Sequence, residues 1–283
     1  MVAFQLIPNQ QPLNNTPHSH PLPMASKVCL IIGGTGGLGR ACAEDLASKG
    51  HKVIVAGRNK SKGDAIVQTI KAAGGEATFL PFDISSPDSI TQLHKDAVAT
   101  YGGRLDVAVN GAGITGDFAK IADMTPSNFS LVWQVNVTGV MLSMQCQIHA
   151  MRANPGGSGG HIINFSSIFG LHGCQFGSAY VASKHALVGL TKAAALEYSN
   201  PRDNILVNAV APGVIITEMT AVLDDPSGLP EGEMKEYMSG FKALYPQGRF
   251  GKVEDVARGV NYLVESDWVT GTVLEIEGGY GAA

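Results

Sequence analysis

The 283-residue chain predicts an α/β fold, a single-domain, doubly wound parallel β-sheet with helices on both faces. Three observations predict it. Short apolar runs alternate with helix-periodic segments at the spacing of strand–helix–strand units. The first run opens directly into a glycine-rich turn, Gly33-Gly34-Thr35-Gly36-Gly37-Leu38-Gly39. From Lys27 onward neither a linker nor an internal repeat interrupts the rhythm, and a chain this long can bury about three quarters of its unfolded surface in one unit.

Residues 1–26 stand apart, with five prolines and no Lys, Arg, Asp or Glu, and predict a flexible tail. They lack both the basic start of a secretory signal and the arginines of a transit peptide. The domain then spans 27–283. Val28–Ile32 is continuously apolar, as in a strand buried on both faces. Arg40–Ser48 has helical apolar spacing, with Gly50 to end it. Val53–Ala56 is the next strand, Lys60–Ala73 a helix stopped by Gly74-Gly75, and Ala77–Pro81 a third strand. Ser86–Tyr101 continues as helix and Leu105–Val109 as strand. The second half predicts a long helix over Asn128–Ala153, a strand at His161–Ser166 and a helix at Ala179–Tyr198. Strands at Ile205–Val210 and Thr272–Ile276 complete the pattern. Between them, about 214–245 has no clear period and is expected to be a substrate lid. Met219, Leu223, Met234, Tyr237, Met238, Phe241 and Leu244 are its candidate apolar wall.

Composition excludes several functions. The 20 Lys+Arg against 24 Asp+Glu give a net charge of −4 with no basic run, so neither nucleic acid nor an anionic membrane is an expected partner. No stretch approaches the ~18 apolar residues of a membrane-spanning helix. Cys29, Cys42, Cys146 and Cys174 are widely spaced, as free thiols of a cytoplasmic, reducing compartment would be. The histidines show no metal-ligand spacing, so no metal site is expected.

The motifs point to dinucleotide chemistry. A glycine turn between a buried strand and a helix lets the backbone approach a pyrophosphate and aims the helix N-terminus at its charge. The second strand ends at Gly57-Arg58-Asn59, without the acid that binds the adenosine ribose in such folds. A carboxylate would repel a 2′-phosphate, whereas the fork of Arg58 can pair with it, which favours NADP(H). Tyr180 and Lys184 stand at i and i+4 of a helix and share one face. An ammonium beside a phenol brings the phenol's pKa toward neutrality. The strand His161–Ser166 ends at Ser166-Ser167, and a serine there faces the same crevice and can hold a carbonyl oxygen beside the tyrosine.

With these residues in place the chain resembles the short-chain dehydrogenases/reductases in their common single-domain, Rossmann-like form, from about Lys27 to Tyr280. The family's T-G-x-x-x-G-x-G motif is matched at Gly33, Gly37 and Gly39, with Leu38 between, although Ile32 replaces the threonine. The resemblance implies adenine contacts at Asp83 and Ile84, and places its N-N-A-G stretch at Asn110-Gly111-Ala112-Gly113. It implies a catalytic set of Asn136, Ser167, Tyr180 and Lys184. Ile215 and Thr217, after Pro212-Gly213, would hold the nicotinamide carboxamide. In this scheme Tyr180 is the acid or base, Lys184 tunes it and binds the ribose, Ser167 polarises the carbonyl, and Asn136 holds a water through its backbone. The expected activity is NADPH-dependent reduction of the ketone of a small, fairly apolar substrate to a secondary alcohol. An NAD(H)-linked alcohol dehydrogenase and a non-redox cyclase or regulator on the same scaffold are the alternatives. His172 and Cys174 fall where relatives place substrate-facing residues, and the two long helices imply a homo-oligomer, tetramer or dimer.

Overall fold

The computed structural model describes residues 26–218, 220, 223, 225–229 and 231–282. The expected tail lies outside the described residues except for Ser26, as does Met219 of the expected lid.

The first half builds β1 (Val28–Ile32), α1 (Gly37–Ser48), β2 (Lys52–Gly57), α2 (Lys60–Ala72), β3 (Glu76–Pro81), α3 (Pro87–Thr100) and β4 (Val107–Asn110). Then come α4 (Pro126–Trp133), a π-turn at Gln134–Thr138, α5 (Gly139–Arg152), β5 (Gly160–Phe165), α6 (Ser178–Tyr198) and β6 (Ile205–Pro212). The last elements are α7 (Glu233–Gly240), α8 (Val253–Glu265) and β7 (Val273–Ile276). The seven strands form one parallel sheet in the order β3-β2-β1-β4-β5-β6-β7. Because side chains alternate across a strand, β1 feeds two cores. Val28, Leu30 and Ile32 join the side that also holds Leu93, Ile148 and Leu187, from α3, α5 and α6. Cys29 and Ile31 join the side holding Leu46, Ile66 and Val260, from α1, α2 and α8. Such two-sided cover is why these strands are continuously apolar rather than alternating.

Register positions the site. Ile32 pairs with both Ala56 and Asn110, and Asn110 pairs with Asn164. The glycine turn, Gly57-Arg58, Gly111–Gly113 and Ser166-Ser167 therefore leave the sheet along one edge, the carboxyl ends of the strands. The order reverses between β1 and β4, and a crevice opens at such a switch point.

Two differences from the sequence reading concern helices. The stretch expected as one helix over Asn128–Ala153 begins at Pro126, with the Thr125 hydroxyl capping the Asn128 N–H, and is divided by the π-turn. The π-turn adds one residue to a single turn, and among the many apolar side chains of 132–151 the resulting shift of face is not legible in sequence. Helix α8 was not expected, although Val256, Ala257, Val260, Leu263 and Val264 carry the i, i+1, i+4, i+7, i+8 spacing of one buried face. Among the described residues no helix is long and apolar enough to cross a membrane.

Candidate active site

A cleft of about 440 Å³ lies at the carboxyl edge of the sheet. Gly33, Gly37, Leu38, Gly39, Arg58, Ser167, Tyr180, Lys184, Ile215 and Thr217 all line it. Asp83 and Ile84 line an adjoining recess of about 400 Å³, which shares Gly33, Thr35 and Arg58 with the cleft. The fold thus brings together residues up to 184 positions apart, from Gly33 to Thr217. Gly33 adopts φ +79°, and a Cβ there would stand 2.6 Å from the Ala112 nitrogen. That close approach lets the turn pass into α1, whose first N–H groups face the cleft and favour an anion.

At the Arg58 end of the cleft, the strand position expected to carry an acid in an NAD-binding fold is Gly57. A Cβ there would meet the Thr35 hydroxyl at 2.6 Å. The space is taken by a neutral hydroxyl, with the exposed Arg58 beside it. The Asp83 carboxylate accepts hydrogen bonds from the Ser85 N–H (3.0 Å) and Ser85 hydroxyl (2.7 Å). These bonds hold it below its usual pKa, with Arg58 adding a smaller attraction.

Two of the expected residues line neither space. Asn110 is buried, exchanging hydrogen bonds with Gln147 of α5 (2.8 and 3.1 Å) and donating to Asn164 Oδ1 of β5 (2.8 Å). Asn164 in turn donates to Thr191 Oγ1 of α6 (2.9 Å). The chain of bonds leaves only the Asn110 main chain for a ligand and ties the ends of β4 and β5 to the helices behind them. Asn136, fully buried in the π-turn, accepts from the Ile114 N–H (2.9 Å) and donates to the Ile114 carbonyl (2.8 Å) and Ser183 Oγ (3.0 Å). Ser183 Oγ donates to the Tyr180 carbonyl (2.7 Å). Asn136 thereby joins the loop after β4 to the turn that carries the tyrosine.

Lys184 is 4% exposed, and its Nζ donates to the Phe165 carbonyl at the end of β5 (2.7 Å). Burial lowers its pKa to about 8. The ammonium lies 5.4 Å from the Tyr180 ring centroid. Burial raises the Tyr180 phenol above its usual value, and the hydrogen bond with Ser167 opposes the rise. This corrects the expectation of a phenol already made acidic by its lysine. Desolvation acts on both side chains, and for the tyrosine it is the larger effect.

A short chain dehydrogenase family model matches residues 27–227. The chain belongs to this family. It is 36% identical over 257 residues to a cyclohexanol dehydrogenase of Acinetobacter sp. (strain SE19), covering 90% of this chain and 95% of that one. It is also 36% identical over 258 residues to a 3-oxoacyl-acyl-carrier-protein reductase of Thermotoga maritima, covering 90% and 98%. Among solved structures, a single-residue variant of the actinorhodin polyketide ketoreductase with NADPH superposes with a TM-score of 0.82 at 33% identity, covering 91% of this chain and 98% of that one. The protein is accordingly a short-chain oxidoreductase acting on an alcohol or ketone, with a Rossmann-like sheet and a nicotinamide cofactor, NAD(P)(H).

In this short-chain dehydrogenase a cluster of aromatic rings packs beside Tyr180. Phe169 packs edge-on against Phe241 (5.9 Å), Phe241 stacks on Tyr280 (6.2 Å), and Tyr237 meets Phe176 and Phe241. Tyr180 packs against this cluster, as do Cys174, Leu223 and Tyr237. Cys174 Sγ lies 3.7 Å from the Tyr237 hydroxyl, and burial pushes its thiol pKa up, which suits a wall rather than a nucleophile. Met238 of α7 is buried, whereas Leu244 is half exposed. Sequence reasoning missed Thr35, Gly113, Ile114 and Ser183. The first two lie within quoted motifs, and Ser183 is part of the Tyr180–Lys184 pentapeptide.

Proposed function

We propose that the protein reduces the ketone of a small, fairly apolar, cyclic substrate with NADPH. The observation that carries this reading is one continuous cleft with Ser167, Tyr180 and Lys184 at one end and Arg58 at the other, where β2 ends without an acid. The cyclohexanol dehydrogenase and the NADPH-bound ketoreductase among its relatives support both halves, a ring-bearing substrate and a phosphorylated cofactor. The cluster of rings beside Tyr180 suits a flat apolar skeleton.

A nicotinamide cofactor held in this cleft would supply the hydride chemistry of carbonyl reduction or its reverse. The chain's residues do the rest. Gly33, Gly37, Leu38 and Gly39 would hold the pyrophosphate through backbone N–H groups, Asp83 and Ile84 would bind the adenine end, and Ile215 and Thr217 would bind the carboxamide. Ser167 donates to the substrate oxygen, which polarises the carbonyl and places it by Tyr180. Tyr180 gives its proton to that oxygen as charge develops. Lys184, anchored on the Phe165 carbonyl, offers positive charge to the phenolate and a donor to the ribose. Asn136, its side chain committed to Ile114 and Ser183, has its main chain left to hold the water through which a proton returns.

Phe129 and Trp133 stack at 6.1 Å on the exposed side of α4, with Leu131 also half exposed. An apolar surface of this kind supports a homo-oligomer, a tetramer or dimer, built through the α4–α6 face. Four free cysteines among the described residues accord with a cytoplasmic setting.

The test is NADPH and NADH consumption against a panel of cyclic and open-chain ketones. NADPH-linked turnover of cyclic ketones is the expected result. Turnover with neither cofactor, or with NADH alone, would reject the reading.

A further inference from the structure

Two charged side chains on the rim of the cleft meet across it. Lys62 lies in the first turn of α2, next to the strand end that carries Arg58. Glu218 follows β6, on the Ser167–Tyr180 side. Three strands separate β2 from β6 in the sheet, which amounts to roughly 19 Å at the usual spacing. Yet Lys62 Nζ donates to both Glu218 carboxylate oxygens, at 2.9 and 2.8 Å. The segment after β6 reaches that far by passing directly over the glycine turn. A Cβ on Gly37 would stand 2.7 Å from Thr217 Cγ2, so a bare glycine is what allows the crossing. Thr217 is held there by its N–H bond to Thr220 Oγ1 (3.0 Å), whose hydroxyl is donated to the Ile215 carbonyl. The contact thus spans the N-terminus of α1, where the cofactor's phosphates are expected.

We infer that Lys62 and Glu218 form a clasp over the cofactor cleft that sets how fast the dinucleotide enters and leaves. The inference rests on the reading of this cleft as the cofactor site. Glu218 alone beside a pyrophosphate would repel it, and Lys62 neutralises that charge in the closed arrangement. The two side chains are 48% and 88% exposed, Lys62 and Glu218 respectively. An ion pair so exposed is weak, so it opens readily and acts as a clasp rather than a lock.

The experiment is stopped-flow measurement of cofactor association and release in the full-length enzyme, using NADH so that no 2′-phosphate can reach Lys62. Glu218→Gln is expected to raise both rates, and Lys62→Met, which leaves the Glu218 charge to oppose entry, to raise the release rate, each by about two- to fivefold, the range open to an exposed pair. The double variant should show no more than either single one. The swapped pair Lys62→Glu/Glu218→Lys should restore slow exchange, and high salt should bring the wild type toward the variants. Unchanged rates in Glu218→Gln would overturn the clasp, as would an effect confined to Lys62→Met with NADPH, which would make Lys62 a phosphate ligand only. Failure of either cofactor to bind the wild type would instead reject the reading of the cleft.

Discussion

At the scale of single residues, two cations matter, one buried and one exposed. Lys184 titrates at about 8 because it is buried. A reduction needing the ammonium should therefore hold its rate through neutrality and fall as pH rises through about 8, visible in a kcat–pH profile for ketone reduction. A profile flat to pH 10 would contradict a role for that charge. Arg58 is exposed beside the end of β2, where its planar fork of donors can pair with a phosphate. Arg58→Ala should weaken NADPH binding by about tenfold or more, the range of a lost charge-assisted pair, and leave NADH binding nearly as it was. Equal losses for both cofactors in titration calorimetry would remove the 2′-phosphate from the account. The Tyr180 phenol shows where a sequence stops informing. The i, i+4 spacing with Lys184 is legible, but the desolvation that pushes the phenol up depends on the ring cluster and Cys174 closing round it, with the Ser167 hydrogen bond opposing the rise.

At the scale of elements, strands β1 to β7 were legible because each is a mostly apolar run bounded by Gly, Pro or polar residues. The π-turn was not, since Asn136 faces inward only because Gln134–Thr138 is wound wider than its neighbours. A bulge of this kind often marks a functional site, and here it is read from Ile114 and Ser183 converging on one amide. Ser183→Ala should disturb Asn136 without removing it, lowering kcat several-fold while leaving the KM for cofactor in place. A loss confined to thermal stability would reduce Ser183 to packing. Helix α8 was missed for a different reason: its pattern is clear, but it follows a long aperiodic stretch that drew attention as lid. Leu263, fully buried against the α1 side of the sheet, gives a direct check of its weight. Leu263→Ala should cost about 2–5 kcal/mol in denaturant unfolding, and a cost near zero would mean that α8 is only loosely docked.

At the scale of the whole molecule, the sheet order sets the site at the reversal between β1 and β4, and the opposite edge carries a pH liability. His161, at the start of β5, is held near a pKa of about 4, by burial first and by the Lys27 charge second. His94 and His51 are also lowered, chiefly by burial. An unfolded histidine titrates near 6.5, so between pH 6.5 and 4 the unfolded chain takes up protons that the folded one refuses. Stability is therefore full above about 6.5 and falls as pH drops toward 4, by on the order of 3 kcal/mol for His161 alone. Melting temperatures measured from pH 7 to 4 should fall, and His161→Gln should flatten part of that fall. An unchanged slope in the variant would show that other groups govern it.

The central claim is that Tyr180 passes the proton at this cleft. It is tested most directly by single-turnover reduction of a ketone by NADPH in Tyr180→Phe, with NADPH affinity measured on the same protein. The account predicts hydride transfer slower by about a hundredfold or more with cofactor affinity within a few-fold of wild type. Hydride transfer at the wild-type rate, with NADPH bound as before, would contradict it.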